Sequence, residues 1–365
     1  MEAAERAAWL RLIATPGLGP RTARHLLAAF GLPDAIFAAG ASALLRVVPE
    51  PLARQLAAPP GADIQSMIDA TEHWLQTAPK HVLISIADSD YPQLLLDTVD
   101  PPPVLFAIGR VDLLNRPALA IVGSRNATQQ GVANAEAFAG ALARSGVTII
   151  SGLALGIDAA AHRGALDADG DASTIAVVGT GVDAIYPASN RVLTQRIRAD
   201  GLVISEFPLR TPAIAHNFPR RNRIIAGLAR GVLVVEAAQR SGSLITARLA
   251  AEAGREVFAV PGSVHSPLAK GCHRLIREGA KLVESAHDIA EDLGLARASA
   301  PVVDTAIARG PHTELLGLPG HDPVDLDTLA QRTRRHAADL SAALLELELT
   351  QDVERLPGNR YQRLR

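Results

Sequence analysis

The chain has 365 residues, more than one compact core usually holds, so two or three domains are expected. Hydrophobic residues make up 48% of it and charged residues 20%, a balance that excludes an intrinsically disordered protein. The formal net charge of −2 excludes a protein that is basic throughout, but a local basic surface is still compatible with nucleic-acid binding.

The sequence shows no signal for export, membrane insertion or disulfide formation. Cys272 is the only cysteine, which excludes an intrachain disulfide and a cysteine-based metal site. The first residues contain Glu2, Glu5 and Arg6 instead of an apolar segment, and no stretch approaches the roughly 18 apolar residues of a membrane span. We therefore expect a cytoplasmic protein.

The first module, residues 1–78, is predicted to be helical. It contains no β-rich run, and the segment Pro16-Gly-Leu-Gly19 ends one helix just before Leu26 and Phe30 begin the apolar spacing of the next. A Gly-Leu-Gly hairpin before a helix resembles the helix-hairpin-helix motif, whose backbone N–H groups contact DNA phosphate. An ordinary turn between two helices is the alternative.

The central segment, residues 79–296, alternates short apolar runs with helical stretches. Most runs are β-branched and apolar on both faces, as strands of a buried parallel sheet are, and their alternation with helices predicts a doubly wound, Rossmann-like α/β fold. The predicted strands are 118–122, 147–150, 174–178, 202–204, 232–235 and 257–260. The predicted helices between them include 131–144, 190–199, 222–230 and 243–253.

A linker rich in proline and glycine, residues 297–323, is predicted to lead into a C-terminal module, residues 324–365. Two helical stretches, 326–332 and 337–349, precede a hairpin-like run, an order typical of a winged helix-turn-helix. The second helix contains glutamates and neither Arg nor Lys, which is poor chemistry for entering a DNA groove. The module therefore suits protein contact at least as well as DNA recognition.

Gly, Ser and Arg residues follow the predicted strands, at the sheet edge where α/β proteins bind ligands. Arg125, after the first strand, can bind phosphate bidentately. The turn from Ser151 to Gly156 exposes N–H groups before a helix, where an anion is favoured, although Asp158 can also cap that helix. The turn Ser241-Gly-Ser243 opens a further helix, and Ser241 suits both an N-cap and the neighbourhood of a ligand.

One turn matches the dinucleotide-binding pattern G-x-G-x-x-A without its structural setting. Gly179 to Ala184 has the required spacing, but Tyr186 and Pro187 follow where the helix of a dinucleotide site should run. Glu206 lies farther along the chain than the acid that normally binds the ribose. Nicotinamide binding is therefore rejected.

The segment from Phe207 to Val235 contains five arginines and no acidic residue. Within it, Asn217 to Arg223 packs three arginines, two amides and the ring of Phe218 into seven residues. Arginines that bind backbone phosphates, beside a ring that stacks on a base, are what single-stranded nucleic acid requires. The alternative is internal ion pairing, for which Glu206 or Glu236 could supply the partner.

Five motifs stand in order between about residues 90 and 285. They are Val122-Gly-Ser-Arg125, Ser151-Gly-Leu-Ala-Leu-Gly-Ile-Asp158 with His162, Phe218-Pro-Arg-Arg-Asn-Arg223, Ser241-Gly-Ser-Leu-Ile-Thr246 and Val260-Pro-Gly262. Together they resemble the DprA/Smf family of DNA-processing proteins. The flanking modules also fit, since this family often has a helical domain similar to a sterile-alpha-motif fold in front and a winged helix behind.

The resemblance implies a protein of natural transformation that binds incoming single-stranded DNA, protects it and helps to load the recombinase RecA. It also implies a homodimer formed through the end of the Rossmann-like domain, with His273, Leu275, Ile276 and Leu282 as the interface residues. The apolar side chains of this segment suit a core equally well, so the sequence leaves both alternatives open. Many relatives have a lysine three residues before the phenylalanine; this chain has Ala215 there, so that phosphate contact is missing or passes to a neighbouring arginine. The predicted DNA-binding residues are Gly123, Ser124, Arg125, Ser151, Gly152, Gly156, Asn217, Phe218, Arg220, Arg221, Asn222, Arg223, Ser241, Gly242 and Ser243.

The sequence contains no G-x-S-x-G elbow, no Walker A lysine motif and no H-E-x-x-H helix. We therefore predict a binding protein without cofactor or metal rather than an enzyme. The alternative is a nucleotide-processing enzyme on the same fold, such as a phosphoribohydrolase, whose carboxylate near a ribose could be Asp158, Glu206 or Glu236. His162 is interpreted as a helix-face residue and not as a base.

Overall fold

The N-terminal module is helical, as predicted. The computed structural model describes residues 1–171, 173–295, 315, 323–350 and 352–363. Trp9, Leu12 and Leu26 lie fully buried in the core that these first helices share, and the hairpin between the first two helices turns at Gly17, whose φ of 78° favours glycine. The helices are α1 (Ala3–Ala14), α2 (Pro20–Phe30), α3 (Pro33–Ala38), α4 (Gly40–Leu44), α5 (Glu50–Ala57) and α6 (Ala62–Thr77).

The central domain is a nine-stranded sheet with the order β1-β2-β6-β5-β4-β3-β7-β8-β9. Seven strands, from β6 across to β9, run parallel, and β1 and β2 are added antiparallel at one edge. The strands are β1 (His81–Ser85), β2 (Val104–Gly109), β3 (Ala118–Val122), β4 (Thr148–Ser151), β5 (Thr174–Val177), β6 (Leu202–Ser205), β7 (Gly231–Val234), β8 (Glu256–Ala259) and β9 (Lys281–Leu282).

Helices cover both faces of this sheet, which makes it the doubly wound α/β fold that the strand pattern predicts. Leu95, Ile224 and Leu275 belong to the core on one face, and Phe138 and Ile289 belong to the core on the other. The helices are α7 (Gln93–Leu96), α8 (Gln129–Arg144), α9 (Ile157–Leu166), α10 (Arg191–Asp200), α11 (Asn217–Leu228), α12 (Ser243–Glu252), α13 (Lys270–Arg277) and α14 (Ala286–Asp292).

All six predicted strands are present with their ends within one residue of prediction, but the predicted start of α11 is wrong. That helix begins at Asn217 instead of residue 222. Pro219 lies in the first turn of this helix, where backbone N–H groups have no helical partner and proline is tolerated. As a consequence, Phe218 and Arg220 are helical residues.

The carboxyl ends of the parallel strands meet at one edge of the sheet, where the chain also reverses its direction of winding. From β3 the chain passes to β4 on one side, while β7 pairs with the other side of β3. Ligands of open α/β sheets bind at such a reversal. The predicted turns therefore lie at a common edge, although only some of them meet.

The C-terminal module has the predicted winged-helix order. The helices Leu326–Thr333 and Ala337–Leu349 pack beside a three-stranded antiparallel sheet of β10 (Val324–Asp325), β12 (Arg360–Arg363) and β11 (Val353–Leu356). The predicted linker, 297–323, lies outside the described residues except for Leu315 and Pro323. Within the described part of the chain, no helix combines the length and apolar character needed to cross a membrane.

Candidate nucleic-acid interface

A pocket opens at the carboxyl ends of β4 and β5, and we call it the strand pocket. The turns after β3, β4 and β5 and the start of α11 form its walls. The lining residues are Arg125, Gly152, Leu153, Ala154, Leu155, Val178, Gly179, Thr180, Tyr186, Pro187, Phe218 and Arg221. The list contains three of the predicted side chains, Arg125, Phe218 and Arg221, and adds an aromatic residue that was not predicted.

Two aromatic rings stand together in the strand pocket. The ring centroids of Phe218 and Tyr186 lie 5.4 Å apart with planes tilted by 38°. Gly179 lies directly against Phe218, because a Cβ at that position would stand 2.9 Å from ring atom Cδ1. Tyr186 is 47% exposed, so its ring is available to a ligand. One feature of the sequence could have identified Tyr186 as a site residue: it is an aromatic residue in the turn that follows a predicted parallel strand.

Arg125 is the exposed cation of the strand pocket. Its guanidinium carbon lies 6.0 Å from the centroid of Phe218. Gly156 fixes this turn, since its φ is 72° and a Cβ there would come within 2.3 Å of the carbonyl oxygen of Ser124. Ile157 then donates its backbone N–H to the same carbonyl at 3.1 Å. Arg125 is thereby presented beside an aromatic ring, as phosphate and base recognition requires.

Arg221 is buried beneath the strand pocket, with 4% of its surface exposed. Its Nη1 donates to the carbonyl oxygen of Gly152 at 2.6 Å and to the carbonyl oxygen of Val177. Burial lowers the pKa of Arg221 to about 10, which still leaves the guanidinium charged at neutral pH. The predicted phosphate ligand is therefore turned inward, where it ties together the ends of β4 and β5.

Arg223 is also directed inward. It forms an ion pair with Glu206 and donates to the carbonyl oxygen of Asp100 at 2.7 Å, with only 14% of its side chain exposed. The internal pairing considered as the alternative thus holds for this arginine. By contrast, Arg220 is exposed and its guanidinium lies 5.3 Å from the ring centroid of Phe207. The basic cluster consequently divides into outward and inward arginines.

Carboxylates of the protein occupy the N-terminus of α8 and the turn before α9, where a nucleotide phosphate would otherwise be favoured. At α8, Glu236 accepts hydrogen bonds from the backbone N–H of Thr128 at 3.0 Å and from its hydroxyl at 2.6 Å. At α9, buried Asp158 accepts from the N–H groups of Gly152 at 3.1 Å and Ala154 at 3.4 Å. Burial raises the pKa of Asp158, while Arg221 and these N–H groups oppose the shift.

Several predicted residues serve the fold around the strand pocket. Ser151 is fully buried and donates its hydroxyl to the carbonyl oxygen of Ile121 at 2.6 Å. Asn217 is buried, Asn222 accepts from Arg221 at 3.2 Å, and Gly123 lies against Ile157. The structure thus uses their polar groups and small size to hold the strand ends in place.

The turn Ser241-Gly242-Ser243 lies outside the strand pocket. The hydroxyls of Ser241 and Ser243 are 2.7 Å apart, and Ser241 lines a different groove beside α12. Gly242 occupies the N-cap position of α12, and the hydroxyl of Ser241 accepts from the backbone N–H of Ser243, the first residue of the helix, at 3.3 Å. Ser241 therefore serves the start of the helix, one residue earlier than an N-cap.

The segment Gly179–Ala184 has no helix after it, as the sequence context predicted. Turns continue to Pro187, and the next element is the short 3₁₀ helix Ala188–Asn190. Gly181 is held in a close approach, because a Cβ there would stand 2.8 Å from the carbonyl oxygen of Pro208. The spacing of its glycines serves packing.

His162 lies on the face of α9 that packs into the core and is fully buried. The hydroxyl of Thr174 donates to the carbonyl oxygen of Ile149, and it can therefore accept from Nδ1 of His162, which lies 2.7 Å away. Burial and the nearby charge of Arg221 lower the pKa of His162 to about 3. Among the described residues, no group of three His, Cys, Asp or Glu side chains could hold a metal ion.

The predicted dimer residues divide between the core and the surface. Leu275 is buried in the domain's own core, and Ile276 packs against it. Leu282 is 50% exposed on β9, the strand at the edge of the sheet. His273 lies on α13, with Nε2 2.9 Å from the carbonyl oxygen of Gly262.

Comparison with protein families matches all three parts of the chain. Residues 82–294 match the model of the DNA recombination-mediator protein A, residues 3–58 a DprA-like N-terminal HHH domain, and residues 298–359 a DprA winged helix domain. Protein Smf of Escherichia coli is 43% identical over 307 residues, covering 82% of this chain and 81% of that protein. DNA processing protein DprA of Streptococcus pneumoniae is 48% identical over 217 residues, covering 60% of this chain and 76% of the relative.

Two solved structures have the same fold. The Streptococcus pneumoniae protein superposes with a TM-score of 0.61 at 39% identity, over 77% of this chain and 95% of that one. DNA processing protein A of Helicobacter pylori, whose structure describes the single-stranded DNA binding mode of that protein, gives 0.53 at 30% identity over 58% of this chain and 95% of that one. With a family model across more than half of its length and a full-length relative at 43% identity, this chain belongs to the DprA/Smf family of DNA recombination mediators.

Proposed function

We propose that this protein binds single-stranded DNA across the carboxyl ends of β3, β4 and β5. The observation that supports this most directly is the grouping of exposed Arg125 with the rings of Phe218 and Tyr186 in one pocket. Arg125 binds a backbone phosphate, and the rings stack on unpaired bases, a combination that tolerates any sequence. The DNA binding described for the Helicobacter pylori relative supports the same ligand class.

A strand of DNA fits this edge of the sheet better than a mononucleotide does. The N-terminus of α8 and the turn before α9 could hold the phosphates of a nucleotide, but Glu236 and Asp158 already bind the N–H groups there. Exposed Leu155 extends the apolar lining of the strand pocket beyond the two rings. The ligand is therefore held at the surface by several turns, as an extended polymer would be.

The proposed ligand is tested by titrating labelled oligo-dT and a duplex of the same length in a mobility-shift assay. We expect the single strand to bind at least ten-fold more tightly, because base pairing hides the faces on which Phe218 and Tyr186 would stack. Equal affinity for both forms would contradict the proposal. Raising the salt concentration should weaken binding steeply, since each neutralised phosphate releases counterions.

We further propose that the bound strand is protected and passed to RecA during natural transformation in the cytoplasm. This follows from the family's role as a recombination mediator. The test measures RecA ATP hydrolysis on DNA that is already coated with single-strand-binding protein. Addition of this protein should shorten the lag before hydrolysis begins, and an unchanged lag would contradict the loading role.

The proposed homodimer forms through the open edge of β9, where Leu282 is exposed. Leu275 is too deeply buried to contribute directly. Leu282→Arg would place a charge in an apolar seam, so light scattering should give half the mass of the unmodified protein. An unchanged mass would contradict a dimer formed through the edge of β9.

We propose no enzymatic activity for this site, although a phosphoribohydrolase is the alternative. Such an enzyme needs a carboxylate at the ribose, but Asp158, Glu206 and Glu236 all bind groups of the protein itself. Incubation with nucleoside monophosphates should therefore release no base while oligonucleotide binding is retained. If the protein released the base and the Glu236→Gln variant did not, the result would favour the enzyme instead.

A further inference from the structure

The wing of the C-terminal module lies against the carboxyl edge of the sheet, beside the strand pocket. Its hairpin, β11 and β12, and the ends of β7 and β8 border a cleft of about 1120 Å³. Leu356 and Arg360 line this cleft on the side of the wing, and Glu236 and Pro261 line it on the side of the sheet. The two modules of the chain therefore meet over the ends of β7 and β8.

The pairing of β11 with β12 shows which side of the hairpin is directed toward the cleft. Successive residues of a strand point to opposite sides, and Val353 and Tyr361 point into the core of the winged module. The other side of the hairpin, which we call the wing face, consists of Glu354, Leu356, Arg360 and Gln362. Three of these four residues line the cleft, so the wing face is directed toward the sheet.

The cleft and the strand pocket are neighbours along the carboxyl edge. Strand β7 pairs with β3, and the backbone N–H of Ser124, just after β3, donates to the carbonyl oxygen of Glu236 at 2.8 Å. The next residue after Ser124 is Arg125, the exposed cation of the strand pocket. A DNA strand that crosses the ends of β5, β4 and β3 and continues in the same direction therefore passes Arg125 and meets the wing face.

The contact between the wing and the sheet contains a repulsion between like charges. Oε2 of Glu354 is buried and has no hydrogen-bond partner among the described residues. Burial raises the pKa of Glu354, and the negative charge of Glu236 raises it further. A buried oxygen without a donor and a nearby like charge both oppose the contact. The wing is therefore held less firmly in this position than a contact between paired groups would hold it.

We propose that the wing is a displaceable cover over the carboxyl ends of β7 and β8, which a single strand of DNA moves aside when it extends past Arg125. This inference rests on the proposed binding of single-stranded DNA in the strand pocket. A short strand occupies the pocket and leaves the cover in place, whereas a long strand displaces it. The cover therefore lowers the affinity for a long strand and leaves the affinity for a short strand unchanged.

Two substitutions in the wing face test the cover with opposite expected results. Fluorescence titrations compare oligo-dT of about 4 nucleotides with oligo-dT of about 20, since single-strand-binding domains contact about 4–16 nucleotides. Leu356→Glu adds a carboxylate beside those of Glu354 and Glu236, so it should release the wing and raise the affinity for the long oligonucleotide about three-fold. Glu354→Arg replaces repulsion by attraction to Glu236, so it should hold the wing in place and lower that affinity about three-fold. Neither variant should change the affinity for the short oligonucleotide.

The direction of these changes separates displacement of the wing from simple electrostatics. A new carboxylate near bound DNA ordinarily weakens binding and a new arginine strengthens it, which is the reverse of both expected results. Arg355→Glu is the matched control, because Arg355 is exposed on the side of β11 opposite to the wing face, and it should not raise the affinity for the long oligonucleotide. Leu356 does not belong to the core of the winged module, so the module should remain folded in Leu356→Glu.

A cross-link across the cleft tests the docked position of the wing. Ser263 and Arg360 line its two sides, so a flexible bis-maleimide should join Ser263→Cys to Arg360→Cys within one chain at high dilution. Native Cys272 is fully buried and does not compete. Compared with the same double variant before linking, the linked protein should bind the short oligonucleotide equally well and the long one about three-fold more weakly.

The outcomes distinguish failure of the cover from failure of the proposed DNA binding. If the cross-link did not form within one chain, or if Leu356→Glu weakened and Glu354→Arg strengthened the binding of both oligonucleotides, the cover would be overturned while DNA binding would stand. Unchanged affinities in both variants would also overturn the cover. If the unmodified protein bound oligo-dT of neither length, the proposed function would fail and the cover with it.

Discussion

The basic segment at the start of α11 separates into two layers that differ in their surroundings. The outer layer consists of Phe218, which stands with Arg125 and Tyr186, and of Arg220, which is exposed beside Phe207. The inner layer consists of Arg221 and Arg223, whose donors bind carbonyl oxygens and carboxylates of the protein. Neighbouring arginines of identical chemistry therefore have different roles because their partners differ.

The two layers explain how several arginines are held together beside one pocket. Asp158 and Glu206 lie beside the inner arginines and offset their charge. The outer cations have no acidic residue among the residues that line the strand pocket. The positive charge is therefore presented to the ligand, while the inner layer fixes the strand ends. The two layers should respond differently to substitution.

The largest expected effect is on the inner layer. Arg221→Met keeps a similar side-chain volume but leaves two carbonyl oxygens without their donor and removes the nearby positive charge that stabilises the buried carboxylate of Asp158. Breaking a buried pair from one side usually lowers the free energy of unfolding by about 3–5 kcal/mol. Urea denaturation should show this loss, whereas the matched control Arg220→Met at the surface should change stability by less than about 0.5 kcal/mol. Equal stability of both variants would show that the inner and outer arginines do not differ in their contribution to folding.

The acid sensitivity of folding gives the next largest effect. His162 has a pKa of about 3 in the folded state, below its value of about 6.5 in an unfolded chain. The unfolded chain thus binds one more proton between these values, so the stability is complete above about pH 6.5 and falls as the pH decreases toward 3. The slope from this residue is at most about 1.4 kcal/mol per pH unit.

The measurement is urea denaturation between pH 7 and pH 4. His162→Asn retains a donor for Thr174 but cannot titrate. The slope of its free energy of unfolding against pH should therefore correspond to about one proton less than the slope of the unmodified protein. The exposed residue His287 provides the control, and His287→Asn should leave the slope unchanged. A parallel decline in all three proteins would show that other groups cause the acid sensitivity.

Six of the seven parallel strands, and the sheet edge at which they end, could be predicted from the sequence, whereas the two layers could not. Apolar, β-branched runs identify parallel strands because both faces of such strands are buried. The edge strand β1 does not meet the criterion of an apolar run buried on both faces, because it begins with His81 and its first residues are only half-buried. Likewise, nothing local separates Arg220 from Arg221, because the groups that bind Arg221 come from turns after β4 and β5. Tyr186 was overlooked for the same reason, as it meets Phe218 only in the folded chain.

In the outer layer, loss of a ring should weaken DNA binding without affecting the fold. Phe218→Ala removes a surface on which a base stacks and should cost about 1–3 kcal/mol in oligo-dT affinity. Tyr186→Ala should have a similar effect if both rings stack. Fluorescence titration gives the affinities, and the exposed residue Leu45, in the N-terminal module, provides a control through Leu45→Ala. Unaltered affinity in both ring variants would show that DNA does not bind in the strand pocket.

The smallest effect, and the most specific for phosphate contact, concerns the dependence of binding on salt. Arg125→Ala removes one exposed cation beside Phe218, so the slope of log affinity against log salt should become shallower by about 0.7 if Arg125 neutralises one phosphate. Arg144→Ala is the matched control, because Arg144 is exposed at the far end of α8. Arg221→Lys keeps the inner charge and should lower affinity, if at all, without changing the slope. If Arg221→Lys altered the slope and Arg125→Ala did not, the buried arginine would be the phosphate ligand and the assignment of the two layers would be reversed.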